Sequence, residues 1–338
     1  MDKGASVNAS AESTQHALFR ESSLCLAPLA GYTDAPFRLL CFRFGADFAV
    51  TEMVSADGLA RGGGRTRRML RRMEGEGPLG VQLFGSDPST LADAAAIAEG
   101  GASFIDLNFG CPVKKVVRKN GGAALMRDLD LMGRICSAVA GAVRVPVTGK
   151  IRSGWSEREE NYIEAGRVME AAGLSAVTLH PRYRSQGFGG EADWRHIARL
   201  REAISIPVIA NGDVRSVEDY LRIVEAAGPG IVMVGRGALG RPWIFREIKQ
   251  RLGKGGGARA GPAGLSELIR EHLALEIEWK GERTALLEMR KHYRWYLKGV
   301  CGIKGIRAEL SRAESREEVA GLLDTMEKEC GETWKRPG

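Results

Sequence analysis

Phe104-Ile105-Asp106-Leu107-Asn108-Phe109-Gly110-Cys111-Pro112 is the stretch whose reading decides the fold. Its first four residues form an apolar run of strand character. The run ends in a turn that carries a side-chain amide and, three residues later, a thiol. Gly110 permits a sharp turn and Pro112 fixes the chain that leaves it. A strand that ends this way presents one sulfur at the mouth of a barrel. A cysteine at a strand end is, taken alone, more commonly a small buried hydrophobe. The weight therefore falls on how the other apolar runs end.

Outward from this turn, similar runs recur: Leu24–Leu29, Phe48–Thr51 and Gly80–Phe84 before it, and Val145–Lys150, Ala176–His180, Val208–Ala210 and Ile231–Val234 after it. Between them lie amphipathic stretches such as Pro88–Glu99, Leu129–Val139, Asn161–Ala172, Asp193–Ala203 and Val217–Ala226. Strands alternating with helices imply a parallel sheet, and eight of them imply a closed (β/α)8 TIM barrel. An open doubly wound sheet is the runner-up, but no G-x-G-x-x-G follows the first run. The alternation stops near Leu252. A glycine-rich linker follows, and the remaining sequence has helical periodicity without strand signals. The expected organisation is a flexible tail over 1–22, the barrel over 23–252, the linker over 253–264 and a small all-helical C-terminal domain over 265–338.

Composition narrows the function. The chain has 338 residues, 44% hydrophobic and 27% charged, which is the balance of a globular protein. The N-terminal segment has no apolar core of a signal peptide, and no apolar run is long enough to span a membrane. The six cysteines form no CxxC pair, so reduced thiols in a cytoplasmic setting are expected. The five histidines are scattered, and no metal is expected from their spacing. A net charge of +7 favours a polyanionic partner.

The chemistry of a barrel of this type sits at the C-terminal ends of its strands. Read in order, those ends supply Pro28-Leu29-Ala30, Glu52, Gln82, Asn108 with Cys111, Lys150 with Arg152, His180 with Arg182, Asn211-Gly212-Asp213 and Gly235-Arg236. Glycine-rich loops after the last two strands are the usual phosphate site of this fold, and Arg236 adds a charged fork. Gln82, Asn108 and Lys150 offer amides and a cation to the barrel centre. That set suits a flavin ring better than a metal.

These residues resemble the tRNA-dihydrouridine synthase family, closest to its bacterial B-type branch. The resemblance rests on Ala27–Arg38, Thr51-Glu52-Met53, Val81–Gly85, Asp106–Pro112, Lys150–Trp155, His180-Pro181-Arg182, Ile209–Asp213 and Gly235-Arg236. It continues through Gly240–Phe245 and Met289–Lys298, and covers about Leu24 to Leu323. It implies an FMN-bearing barrel followed by a helical tRNA-binding domain, in a cytoplasmic monomer. It also implies reduction of the C5=C6 bond of selected tRNA uridines, with NADPH reducing the flavin. Carried over by motif, Pro28, Leu29, Ala30, Gln82, Lys150, His180, Asn211, Gly212, Asp213, Gly235 and Arg236 would contact FMN. Cys111 would donate the proton to C5 as hydride reaches C6, and Asn108, Arg152 and Arg182 would contact the substrate. The sequence departs from the family pattern at Leu29, Gly149, Pro181 and Tyr183.

A stacked uridine must be flipped out to reach a barrel centre, which needs a grip on phosphates. Three basic patches offer it: Arg61, Arg65, Arg67, Arg68, Arg71 and Arg72; Lys114, Lys115, Arg118 and Lys119; and the helical stripe Arg283, Arg290, Arg294 and Lys298. The second patch lies next to Cys111, where cations favour thiolate. These four side chains are therefore expected to face RNA and leave the sulfur protonated. A flavin barrel acting on a small pyrimidine, such as dihydroorotate, would share the phosphate loops without needing a basic helical appendage. An RNA-binding protein without turnover would not need Cys111, Lys150 and His180.

Overall fold

The structure, a computed structural model, describes residues 18–254, 262–300 and 304–330. The apolar runs become parallel strands, nearly continuous in hydrophobicity because both faces are covered. They are β1 (Leu24–Leu26), β2 (Phe48–Val50), β3 (Val54–Ser55), β4 (Leu79–Phe84), β5 (Phe104–Asn108), β6 (Val147–Gly154), β7 (Ala176–Tyr183), β8 (Val208–Asn211) and β9 (Ile231–Val234). β1 pairs with both β2 and β9, and β2 pairs with β4, which closes an eight-stranded barrel. The two-residue β3 extends the sheet beside β4 above the end of β2. The fold is thus a (β/α)8 TIM barrel. β6 and β7 run further than their apolar runs, so Arg152 and Arg182 lie on strands and not in the loops after them.

Helices accompany the strands: α1 (Ala35–Arg43), α2 (Ala56–Ala60), α3 (Gly64–Arg68), α4 (Pro88–Glu99), α5 (Lys114–Val117), α6 (Leu129–Ala142), α7 (Tyr162–Ala171), α8 (Arg195–Ala203), α9 (Val217–Ala227) and α10 (Ile244–Arg251). Several start where the sequence supplies an N-cap. Asp34 accepts from Phe37 N, Asp87 from Thr90 N, Asp128 from Leu131 N and Ser216 from Asp219 N. Their buried faces form one core with the outer faces of the strands.

The barrel floor shows where the expected N-terminal tail was drawn too long. Phe19 is buried, and its ring meets Phe48 and Phe104 edge-on at 5.8 and 5.6 Å. The three rings plug the N-terminal end of the barrel, next to Ala176, Ile209 and Ile231. A single aromatic in a polar segment gives no periodic signal, which is why the sequence reading placed Phe19 outside the fold. Residues 1–17 lie outside the described residues.

Gly149 breaks the strand pattern for a packing reason. A Cβ there would lie 2.1 Å from Met169 Cε, so the methionine of α7 fills the space a strand side chain would take. Gly149→Val is expected to destabilise the protein by about 1–3 kcal/mol through overpacking. Adding Met169→Ala should recover part of the loss, as read from thermal midpoints of the single and double variants.

Beyond the barrel stand α11 (Pro262–Lys280), α12 (Glu282–Tyr296), α13 (Lys304–Leu310) and α14 (Arg316–Cys330). α11 begins inside the expected linker, at a proline suited to the first turn of a helix; residues 255–261 lie outside the described ones. The helices share a second core with the outward face of α1, through Ala35, Leu39 and Leu40. α12 buries Leu286, Met289, Tyr293 and Tyr296 and leaves Arg283, Arg294 and Lys298 exposed. No helix among the described residues is long and apolar enough to cross a membrane.

Candidate active site

A cavity of about 460 Å³ opens at the C-terminal end of the barrel. Every strand-end residue singled out above lines it except Glu52 and Arg182. Pro28, Leu29 and Ala30 come from the loop after β1, Gln82 from β4, Asn108 from the last position of β5 and Cys111 from the turn after it. Lys150 and Arg152 come from β6 and His180 from β7. Asn211, Gly212, Asp213, Gly235 and Arg236 come from the ends of β8 and β9.

A buried chain of hydrogen bonds shapes the Cys111 turn. Thr148 Oγ1 donates to Asp106 Oδ1 at 2.6 Å, and Gln82 Nε2 donates to Asp106 Oδ2 at 2.7 Å. Asn108 Nδ2 donates to Gln82 Oε1 at 2.8 Å, and Asn108 Oδ1 accepts from Gly110 N and Cys111 N at 3.2 and 2.9 Å. The turn is therefore an Asx-type turn made by Asn108. Gly110 makes its turn without a positive φ. Its contribution is close approach to β6, where a Cβ would touch Ile151 C and Lys150 O at 3.4 Å. Asn108 is thus largely spent on positioning the thiol.

Burial raises the Cys111 thiol above its usual range, against a backbone N–H at Val113 and the charges of Arg152 and Lys150. Lys114, Lys115, Arg118 and Lys119 are exposed and do not act on it. The thiol is therefore protonated at neutral pH, and the cations that act on it, Arg152 and Lys150, come from β6.

The opposite wall is electropositive. Lys150 Nζ donates to Asn211 Oδ1 at 2.9 Å, while Asn211 Nδ2 donates to Met233 O at 2.8 Å. Burial and the adjacent Arg152 push the Lys150 ammonium down to about 8. Burial and the surrounding Lys150, Arg152, Arg182 and Arg236 hold His180 well below its usual range, so its ring is neutral. Arg182 Nη1 lies 3.1 Å from His180 Nε2. A guanidinium only donates, so Nε2 accepts and Nδ1 carries the ring proton.

Arg182 requires a correction. It was expected to contact the substrate, but it is 1% exposed and does not line the cavity. It donates to Gly189 O, Gly190 O and Asp213 Oδ2, tying the loop after β7 to the end of β8. Arg152 also serves as a tie, donating to Gly110 O, Tyr183 O and Gly187 O. Asp213 has both oxygens committed, to Arg182 and Ala192 N on one side and to Arg215 and Arg236 on the other. Burial opposes its ionisation, but these donors hold its carboxyl below the usual range. Asp213 thus aims arginines into the cavity.

The sequence profile of the dihydrouridine synthase (Dus) family matches residues 25–331. The chain belongs to this family. Curated relatives agree. It is 42% identical to tRNA-dihydrouridine synthase B of Pseudomonas aeruginosa over 296 residues, covering 87% of this chain and 89% of the relative. It is 41% identical to tRNA-dihydrouridine synthase B of Proteus vulgaris over 306 residues, covering 90% and 95%. Among solved structures, the old yellow enzyme homologue from Zymomonas mobilis superposes with a TM-score of 0.50 at 12% identity, covering 73% of this chain and 95% of that one. This last likeness is one of fold.

Within the dihydrouridine synthase frame, Met53, Phe188 and Trp295 are among the cavity residues to which the sequence reading gave no site role. Met53 approaches Asn108 Nδ2 at 4.0 Å. Phe188, 56% exposed, lies at 5.5 Å from both the Arg152 and the Arg236 guanidinium carbons. Trp295 reaches the cavity from α12, so the helical domain supplies part of its wall. Phe188 sits between glycines and Trp295 in an aromatic-rich helix, and neither setting marks it as a site residue.

The Lys150 ammonium has a measurable consequence for stability. Its pKa is lower folded than unfolded, so its charge destabilises the fold at neutral pH, and the penalty fades as pH rises from about 8 towards 10. Lys150→Met removes this penalty but leaves Asn211 Oδ1 without its donor, which costs about 1 kcal/mol. In flavin-free protein, the melting difference of variant minus wild type should fall steadily across that range. A flat difference would contradict the buried charge.

Proposed function

We propose that the chain is a tRNA-dihydrouridine synthase that uses FMN, reduced by NADPH, to reduce selected uridines in tRNA to 5,6-dihydrouridine. One observation carries the reading: a protonated thiol, a buried ammonium and two glycine loops flanked by arginines line a single cavity. The residues fit FMN. A Cβ on Gly237 would lie 2.1 Å from Val214 O, so the loops after β8 and β9 pack backbone to backbone as a phosphate cradle requires. Arg236, Gly235 and Gly212 would hold the phosphate. Lys150 and the Nδ1–H of His180 would meet the ring, beside Pro28, Leu29, Ala30 and Asn211.

Bound FMN would supply hydride to C6 of the uracil. The Cys111 thiol donates the proton to C5, where charge develops. Asn108 and Gln82 hold the turn that aims the sulfur. Arg152 fixes the same turn through Gly110 O and orders the loop that carries Phe188. Outside the cavity, exposed Lys114, Lys115, Arg118 and Lys119 and the basic face of α12 are the phosphate contacts for tRNA. We place this activity in the cytoplasm, in a monomer.

The test is direct. Purified protein should be yellow, and tRNA lacking the modification should stimulate its NADPH oxidation while free uracil and orotate do not. Stimulation by orotate alone would overturn the reading in favour of a small-molecule dehydrogenase. Mass-spectrometric mapping of tRNA from a strain lacking the gene should show lost dihydrouridine.

A further inference from the structure

Three ligand atoms of His272, Glu276 and His292 lie within 4.8 Å of one another in the helical domain, and none of the three residues lines the cavity. All three residues are 0% exposed. His272 Nε2, Glu276 Oε1 and both His292 ring nitrogens lack a hydrogen-bond partner among the described residues, while Glu276 Oε2 has the Lys280 ammonium beside it. Four such atoms at one buried point are far out of proportion for a folded protein, where nearly all buried polar atoms are satisfied. We propose that His272, Glu276 and His292 form a structural binding site for one divalent transition-metal ion, zinc by its donor set, that clamps α11 to α12.

His272 and Glu276 stand four residues apart, on one face of α11. His272 Nε2 and Glu276 Oε1 are 3.7 Å apart, close to the edge of a zinc tetrahedron, about 3.3–3.5 Å for ligands at 2.0–2.1 Å. His292 enters from α12, its ring 4.6 Å from that of His272 and at 75° to it. The two rings therefore do not stack, and neither satisfies the other's nitrogens.

The surroundings support the ligands as metal sites require. Tyr296 OH is 3.0 Å from His272 Nδ1, which leaves Nε2 free to coordinate once Nδ1 carries the proton. Lys280 Nζ is 2.9 Å from Glu276 Oε2, an ion pair that leaves Oε1 for the metal. Lys280 also pairs with Asp34, so one ammonium is shared between two carboxylates. Phe37 and Tyr32 close the site, their rings 5.4 and 5.5 Å from that of His292. The expectation of no metal came from histidines scattered in sequence, and the packing of two helices brings two of them together.

The ion would be taken up as the domain folds, because no ligand is accessible from outside. The experiment uses full-length protein purified without a polyhistidine tag. Elemental analysis should find about one zinc per chain. Protein unfolded with chelator and refolded without metal should melt lower than protein refolded with zinc. Refolding with cobalt should give visible ligand-field bands. Glu276→Gln and His292→Gln should each lower the metal content at least about 10-fold, whereas Cys111→Ser should leave it unchanged. If the variants fail to fold, the wild-type measurements decide. Wild-type protein that holds no metal, and melts identically with and without zinc on refolding, would overturn the site. So would zinc that persists in both variants.

Discussion

Cys111→Ala is expected to retain its flavin and to lose turnover on tRNA by about 10²–10⁴-fold, the range for removing a positioned general acid. The side chain comes from the turn after β5 and not from the phosphate loops after β8 and β9, so cofactor binding should not follow activity down. Flavin reduction by NADPH, measured alone by bleaching of the yellow colour, should be close to wild type. Reoxidation of reduced protein by tRNA should be slow. The pH profile makes the test specific. The thiol must be protonated to act, and burial raises it above the ordinary range near 8.5. Activity should therefore hold through pH 8 and fall only above that value. In the alanine variant the residual rate should lose this basic limb. Full activity in Cys111→Ala would remove the thiol from the mechanism.

Arg38→Met is the second large expectation, and it acts on stability. The Arg38 and Glu76 side chains are 3% and 0% exposed and form a two-point fork, Nε to Oε2 at 2.8 Å and Nη2 to Oε1 at 3.2 Å. Nη1 also donates to Thr33 O at 3.1 Å, and Glu76 Oε1 accepts from Met73 N at 2.7 Å. Removing one partner leaves a buried charge unpaired, which costs about 3–5 kcal/mol. The expected fall in melting temperature is on the order of 10 °C. A second effect should accompany it. The fork anchors the segment that carries exposed Arg67, Arg68, Arg71 and Arg72, and Arg71 lies 4.5 Å over the Trp279 ring of α11. Binding of tRNA at moderate salt should weaken while flavin content stays. A melting temperature within a degree or two of wild type would show that the pair is not the anchor its burial implies.

The barrel was legible because parallel strands covered on both faces leave unbroken apolar runs, and because each run ended in a chemically marked turn. The thiol, the lysine and the glycine loops could be read for the same reason: strand ends in a closed barrel converge whatever the detail between them. Arg182 misled because sequence shows charge but not where a strand ends. β7 runs three residues past His180, to Tyr183, and carries the guanidinium inside. Phe19, Phe188 and Trp295 were missed since each acts through a tertiary neighbour, with no local period to announce it. Asp106 was quoted only as part of a motif. Its role as the buried acceptor that organises Gln82, and through it Asn108, exists only once β4, β5 and β6 lie side by side.

Closure of the barrel has a consequence for how the chain is made. β1 finds one neighbour early, in β2, but its other edge pairs with β9, the last strand to leave the ribosome. Until β9 emerges, β1 and β8 present open backbone edges, the hazard that a closed barrel otherwise abolishes. The Phe19 plug meets Phe48 and Phe104 long before that point, and can hold β1, β2 and β5 as a seed. Synthesis thus leaves a half-built sheet waiting on its final strand, and a pause or truncation before Ile231 should yield aggregate in place of a smaller soluble barrel.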